Sequence, residues 1–286
     1  MVAAVETYND QAAFASLRVP AWHNLGTVLT DEVSTIEMLR VAHLDNWNVR
    51  LEDITLPGRS STNYFATVRD NPFDGGLDVL GVVKERYRTY QNEDLFAFGD
   101  NLLDGARWET AGSIKEGRVV FGSLALDHDI VIDPNGVGDK INSYLLVSTS
   151  HDGSLAIQAS VTPTRVVCQN TLTAALSAAN QTYKWRHTSS AEGRIEDARQ
   201  ALGVAHKFMD AFEVEAQSLI QTEITKAQFD EIVSRAFPMP EKDAKGSMKK
   251  WESKVDLVQE LYTAPTNLMI AGTAWGAYQT LTEHLD

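Results

Sequence analysis

Residues 107–162 read RWETAGSIKEGRVVFGSLALDHDIVIDPNGVGDKINSYLLVSTSHDGSLAIQASVT. Apolar and small polar residues alternate here with the period of two that a β-strand requires. Turn residues interrupt the pattern at Glu116-Gly117, across 133–140 (DPNGVGDK) and at His151-Asp-Gly153. The spacing predicts a long antiparallel meander. It ends at Thr162-Pro-Thr164, where Pro163 suits the first turn of a helix. That helix is expected over 165–183, with Cys168, Leu172, Ala175, Leu176 and Ala179 as its apolar stripe.

Upstream the same period marks 47–56 (WNVRLEDITL), 64–70 (YFATVRD) and 78–83 (DVLGVV), with 87–92 (YRTYQN) extending the third strand. A helix is expected over 93–103, capped by Asn92 and stopped near Gly105. Residues 1–46 read as an arm carrying one helix from Thr35 to Leu44, capped by Ser34. After Trp185 the pattern turns helical, over 190–222, 226–237, 248–262 and 266–284, with prolines at 238, 240 and 265 between the last three. The fold class expected is α+β: an antiparallel β-meander packed on a central helix, followed by an all-helical C-terminal region. The divisions are an N-terminal arm (1–46), a β core with helix 165–183 (47–187) and a helical region (188–286).

The 286 residues amount to roughly two domains. With 43% hydrophobic and 22% charged residues the composition is that of a globular chain, which excludes disordered and collagen-like classes. The single Cys168 excludes an intramolecular disulfide and any zinc site with two cysteines. No apolar run reaches the roughly 18 residues of a membrane span. The start, MVAAVETYND, lacks the basic and apolar regions of a signal peptide, so a reducing cytoplasm and no membrane partner are expected.

No P-loop, G-x-S-x-G or H-E-x-x-H occurs, and no cofactor is expected. Asn135-Gly-Val-Gly138 lies between strands and reads as a hairpin loop. Asp127-His-Asp129, with Asp133 nearby, is the best metal candidate and would serve a metal-dependent nuclease. On a strand, however, His128 points away from the two carboxylates, so a strand end is the simpler reading. Cys168 falls on an apolar stripe and reads as a buried structural thiol.

The net charge is −14, from 25 Lys and Arg against 39 Asp and Glu. Phosphate binding depends on local patches of cations, and these exist. Arg86-Tyr-Arg-Thr-Tyr90, if extended, places Arg86, Arg88 and Tyr90 on one face. Arg107-Trp108 and Lys184-Trp185-Arg186 repeat the pairing of ring and cation. Cations for phosphates beside rings for bases are what a single strand requires. The candidates for phosphate are Arg86, Arg88, Lys115, Arg118, Arg165, Lys184 and Arg186. Those for stacking are Tyr90, Trp108 and Trp185. Gln169 stands one helical turn from Arg165 and would share its groove. The competing reading puts the rings in the core and the cations in solvent. A third reading takes the acidic chain as a protein-binding or DNA-mimic module acting on a host factor.

Several short motifs occur together: Pro20-Ala-Trp-His-Asn-Leu-Gly26, Leu80-Gly-Val-Val83, Gln91-Asn92, Glu109-Thr-Ala-Gly112 and Gly117-Arg-Val-Val-Phe121. Ser150-His-Asp-Gly-Ser154, 162–172 (TPTRVVCQNTL) and Gly272-Thr-Ala-Trp-Gly276 complete the set. The set resembles a phage/plasmid-like family of unknown function over nearly the whole chain. The resemblance implies a phage or mobile-element product in bacterial cytoplasm and assigns no chemistry. The order of elements, a meander followed by a helix, is similar to the core of RecT/Redβ-type single-strand annealing proteins. That likeness implies binding and annealing of single-stranded DNA without nucleotide hydrolysis, by a homo-oligomeric ring or filament. It also implies a phage exonuclease or a host single-strand-binding protein as partner.

Overall fold

The computed structural model describes residues 4–55, 57–58, 63–103, 107–126, 130–133, 136–178, 182–187, 198, 211–240 and 245–285. It is a mixed α+β structure with a large antiparallel-rich sheet and a mostly helical C-terminal part. Two compact units form. One comprises Met1–Asp129 with Asn142–Met209, the other Ile130–Ile141 with Asp210–Asp286.

The first unit contains a seven-stranded sheet. Its centre is the expected meander: β8 (Arg107–Ile114), β9 (Val119–Ala125), β12 (Tyr144–Ser150) and β13 (Ile157–Thr162), each antiparallel to the next. β14 (Thr182–Trp185) extends it beyond β13. On the other side β3 (Phe14–Leu17) pairs with β8, and β4 (Thr27–Leu29) runs parallel to β3. The arm expected over 1–46 is therefore part of the core. Phe14 is fully buried, and four consecutive apolar or small residues at 14–17 suit a strand covered on both faces.

One sheet face packs on Val166, Val167, Cys168, Leu172 and Ala175, together with Phe14, Ile114, Phe121 and Leu146. α3 is Gln169–Ala178, shorter than the expected 165–183. Val166 and Val167 are buried in irregular chain before the helix. The Thr171 hydroxyl accepts from the Val167 and Cys168 amides at 2.9 and 3.0 Å, and that cap fixes the helix start. On the other face α2 (Asn92–Leu102) packs Phe96 on Trp108 at 4.3 Å. Its cap is Gln91, one residue before the expected Asn92, with a reciprocal bond to Asp94. α1 (Thr35–Val41) is capped by Ser34 as expected.

A separate three-stranded sheet holds β5 (Arg50–Asp53), β6 (Tyr64–Asp70) and β7 (Leu77–Lys84). β7 stops at Lys84, and Glu85-Arg86 turns, so YRTYQN does not extend it. β1 (Thr7–Tyr8) and β2 (Gln11–Ala12) form a small hairpin.

The second unit takes the hairpin β10 (Ile130–Ile132) and β11 (Asp139–Ile141), which leaves the meander between β9 and β12. The sequence division at 187/188 assigned this hairpin to the β core. Its partners lie in the C-terminal region. Gln217 on α4 (211–221) donates to Val131 O at 2.9 Å, and the Trp275 indole donates to Asp139 at 2.8 Å. α5 (Lys226–Ala236), α6 (Lys245–Tyr262) and α7 (Ala274–Leu285) enclose Phe229, Val233, Val258, Tyr262 and Ala277. Residues 266–272 form turns instead of starting α7. Gly272 has φ +86°, and the Thr273 hydroxyl caps the helix by accepting from the Gly276 amide. The expected helix over 190–222 is described at Ala198, which is helical and buried, and from 211 onward; the rest of its earlier part lies outside the described residues. No helix among the described residues is long and apolar enough to cross a membrane.

Candidate nucleic-acid interface

A cleft of about 720 Å³ opens between β1, the ends of β6 and β7, and the loop 115–118 that joins β8 to β9. This volume falls within the roughly 300–1,000 Å³ usual for ligand sites. Lys115, Glu116 and Gly117 all have positive φ, which turns the chain in four residues where a two-residue turn was expected. Gly117 meets two demands. Its φ is +81°, and a Cβ there would overlap the Arg69 guanidinium.

That guanidinium is the floor of the cleft. Arg69 is 1% exposed and binds the Glu6 carboxylate through both terminal nitrogens. Its Nε and Nη2 reach Asp78 at 3.0 and 2.9 Å, and its plane lies 4.0 Å from the Trp47 ring. Ser113 and Asn71 donate further bonds to the two acids. The buried charge is therefore compensated on every side. Lys115 and Arg118 stand exposed on the rim, and among the described residues Arg118 pairs with Glu116, itself 86% exposed. Two aromatic rings also line the cleft: Tyr8, 39% exposed, is stacked on Phe73 with centroids 5.8 Å apart.

A second cationic group comes from two segments distant in sequence. Arg88 N donates to His187 O at 2.5 Å, and the Tyr87 and His187 rings stack at 4.7 Å. This brings Arg88 to the strand end that carries Arg186; Arg86, Arg88, Lys184 and Arg186 are all exposed. The turn that follows β12 connects the two groups. His151 N donates to Arg118 O at 2.8 Å, and the Tyr87 hydroxyl donates to Ser150 O at 3.0 Å. Asp152 lies in this turn. Burial alone would raise its carboxyl, but bonds from Ser154 and Ser150 and the charge of Lys115 hold it below the usual carboxylate range. A Cβ at Gly81 would come within 2.7 Å of Asp152, so glycine on β7 is what lets the turn pack.

Beneath the turn His151 is completely buried. Burial, with the nearby His187 and Arg69, lowers its pKa to about 3. Its Nε2 donates to Asn92 Oδ1 at 2.9 Å, because the Asn92 amide nitrogen is committed to Leu44 O. His151 Nδ1 has no partner among the described residues. These motif residues therefore form an internal polar support for the turn.

The other sequence candidates separate. Trp108 and Trp185 are each 3% exposed, so neither can stack on a base. The Trp108 indole is spent on Thr35 and Asp100, and Trp185 packs on Phe98. The competing reading, rings in the core, holds for both. Tyr90 is half-buried against Trp185, with its hydroxyl pushed up to about 12, mainly by burial. Arg165 precedes α3, so it does not share a helical face with Gln169. Its donors go to Glu109 at 3.2 Å and Val19 O at 2.6 Å. Gln169 bonds within its own helix to Thr173. Asp127 and Asp129 lie outside the described residues. The Asp133 carboxylate accepts from Val137 N and closes the hairpin loop. Among the described residues no three His, Cys, Asp or Glu side chains are grouped to hold a metal. Cys168 is buried. Sequence reasoning missed Tyr8, Phe73 and Arg69, because only tertiary pairing brings them to Lys115.

The sequence profile of a family described as a domain of unknown function (DUF932) matches residues 79–286. The chain belongs to that family. No match was found among curated proteins or among solved structures. The matched span of the family domain begins on β7 and includes Lys115, Arg118, the turn after β12 and Arg186. Tyr8, Arg69 and Phe73 precede it.

Proposed function

We propose that the chain binds single-stranded nucleic acid along a track from the cleft rim, Lys115 and Arg118, past the turn after β12 to Arg86, Arg88, Lys184 and Arg186. The observation that supports this reading is the hydrogen-bonded connection of the two cationic groups through His151 and Tyr87. Exposed cations side by side follow a phosphate backbone, and in an acidic chain such a local patch supplies the electrostatic footprint. The biological role proposed is annealing of single-stranded DNA in recombination, without nucleotide hydrolysis, by a phage or mobile-element protein in bacterial cytoplasm. Its partners would be further copies of itself and a phage exonuclease or host single-strand-binding protein.

The test is fluorescence anisotropy of a labelled single-stranded oligonucleotide against a duplex control, titrated at several salt concentrations. The expected result is salt-sensitive binding that prefers the single strand. Replacing Lys115 and Arg118 together by alanine is expected to lower the log–log salt slope by about 1.4, at roughly 0.7 per phosphate. Absence of binding at low salt overturns the reading.

A further inference from the structure

We infer that Tyr8 is a stacking platform for a nucleobase of the bound strand, an assignment that rests on the proposed strand-binding reading and names its base-contacting residue. One face of Tyr8 lies on Phe73, nearly parallel at 15° with centroids 5.8 Å apart. Phe73 is packed in turn on His43 at 4.9 Å, and its amide is held by the Asn71 side chain at 2.8 Å. The Asp74 carboxylate sits beside the Tyr8 hydroxyl and raises its pKa, so the phenol stays neutral.

No ring other than Phe73 lies against Tyr8 among the described residues. Tyr8 is 39% exposed and borders the same cleft as Lys115 and Arg118. A flat apolar ring fixed on one side, beside two exposed cations, matches the chemistry of a base with its phosphate. The base continues the ring pair while the phosphate meets the cations. Arg69 takes no part in this contact, because its donors are consumed by Glu6 and Asp78. Stacking accepts any base, so the platform adds affinity for an unpaired strand without a sequence code. It also discriminates against duplex, whose bases already stack on one another.

The experiment compares wild type, Tyr8→Leu, Tyr8→Ala and Tyr8→Phe on two labelled strands, an ordinary oligonucleotide and one of equal length and charge with abasic positions. Wild type is expected to bind the ordinary strand more tightly than the abasic one. Tyr8→Leu and Tyr8→Ala are expected to lose roughly ten- to hundredfold on the ordinary strand and little on the abasic strand. Tyr8→Phe keeps the ring and is expected to bind like wild type. A thermal melt of each variant checks the fold, and Tyr8→Leu keeps apolar contact with Phe73 if Tyr8→Ala does not fold. If wild type binds and the Lys115, Arg118 double variant weakens it, while Tyr8→Leu binds both strands as wild type does, the platform assignment is wrong and the strand-binding reading stands. If wild type binds neither strand, the strand-binding reading itself fails. Adenosine monophosphate serves as competitor. No displacement at millimolar concentration agrees with a base carried by a strand, and displacement at micromolar concentration overturns it in favour of a free nucleotide.

Discussion

At the floor of the cleft, Arg69 is almost completely buried and shared between Glu6 and Asp78. At the rim, a few residues along the chain from Ser113, which steadies Glu6, Arg118 keeps 46% of its side chain exposed beside the exposed Glu116. Both residues are arginines on or beside strands of the same unit, yet they do opposite work. A buried guanidinium holds structure only because carboxylates and the Trp47 ring replace its water. An exposed one contributes little to stability and is available to a phosphate. The contrast gives a sorting rule for the cations of this chain: those buried against protein partners are structural, those exposed at the surface are candidates for binding.

The strongest way to break this comparison is Arg69→Ala. It leaves Glu6 buried without its partner and removes the cation from Trp47. Urea unfolding is expected to show a loss of about 3–5 kcal/mol. A loss below about 1 kcal/mol would mean that the floor is not structural. Gly117→Ala strikes the same place from the rim. A Cβ would overlap Arg69 at a backbone φ of +81°, and a loss of about 1–3 kcal/mol is expected.

Acid probes the support beneath the turn. The folded pKa of His151 is about 3, against about 6.5 in the unfolded chain. Below pH 6.5 the unfolded chain takes up a proton that the folded chain refuses. The stability from this group is therefore full above pH 6.5 and is lost progressively as pH falls toward 3. One histidine gives a slope of at most about 1.4 kcal/mol per pH unit. Urea midpoints at pH 7.5, 5.5 and 4.5 check this, and His151→Gln is expected to flatten the trend. An unchanged slope in that variant would assign the acid sensitivity elsewhere.

Two smaller effects sharpen the comparison at the rim. Asp152→Asn removes the one negative charge in the turn between the two cationic groups, so strand binding is expected to tighten by a few fold at low salt. Weaker binding would show that the strand does not pass the turn. Arg165→Ala is expected to leave strand affinity and salt slope unchanged within error, because its half-buried guanidinium is held by Glu109 and the Val19 carbonyl. A reduced slope would refute the sorting rule.

The strands of the meander were legible because strand periodicity is local: side chains two apart share a face whatever the rest of the chain does. The Ser34 cap and the buried Cys168 were legible for the same kind of reason, as a hydroxyl before a helix and a thiol on an apolar stripe. Ring-and-cation interleaving was not a reliable signal. Trp108 lies on the sheet face covered by Phe96, while Lys184, on the edge strand, remains exposed, and nothing in either dipeptide decides between covered and open. The N-terminal arm was misjudged because Phe14–Leu17 lacks alternation, as a strand buried on both faces must.

By itself the sequence determined the α+β class, the antiparallel order of β8, β9, β12 and β13, the helical C-terminal part and the absence of familiar catalytic motifs. Each of these follows from short-range patterning or from composition. Only the tertiary structure decided that β3 completes the sheet, that the hairpin 130–141 joins the helical unit, and that Glu6, Arg69 and Trp47 meet under Lys115 and Arg118. Those pairings join residues dozens of positions apart. Their energy comes from burying a charge beside its counter-charge and a ring beside a guanidinium, which no local pattern encodes.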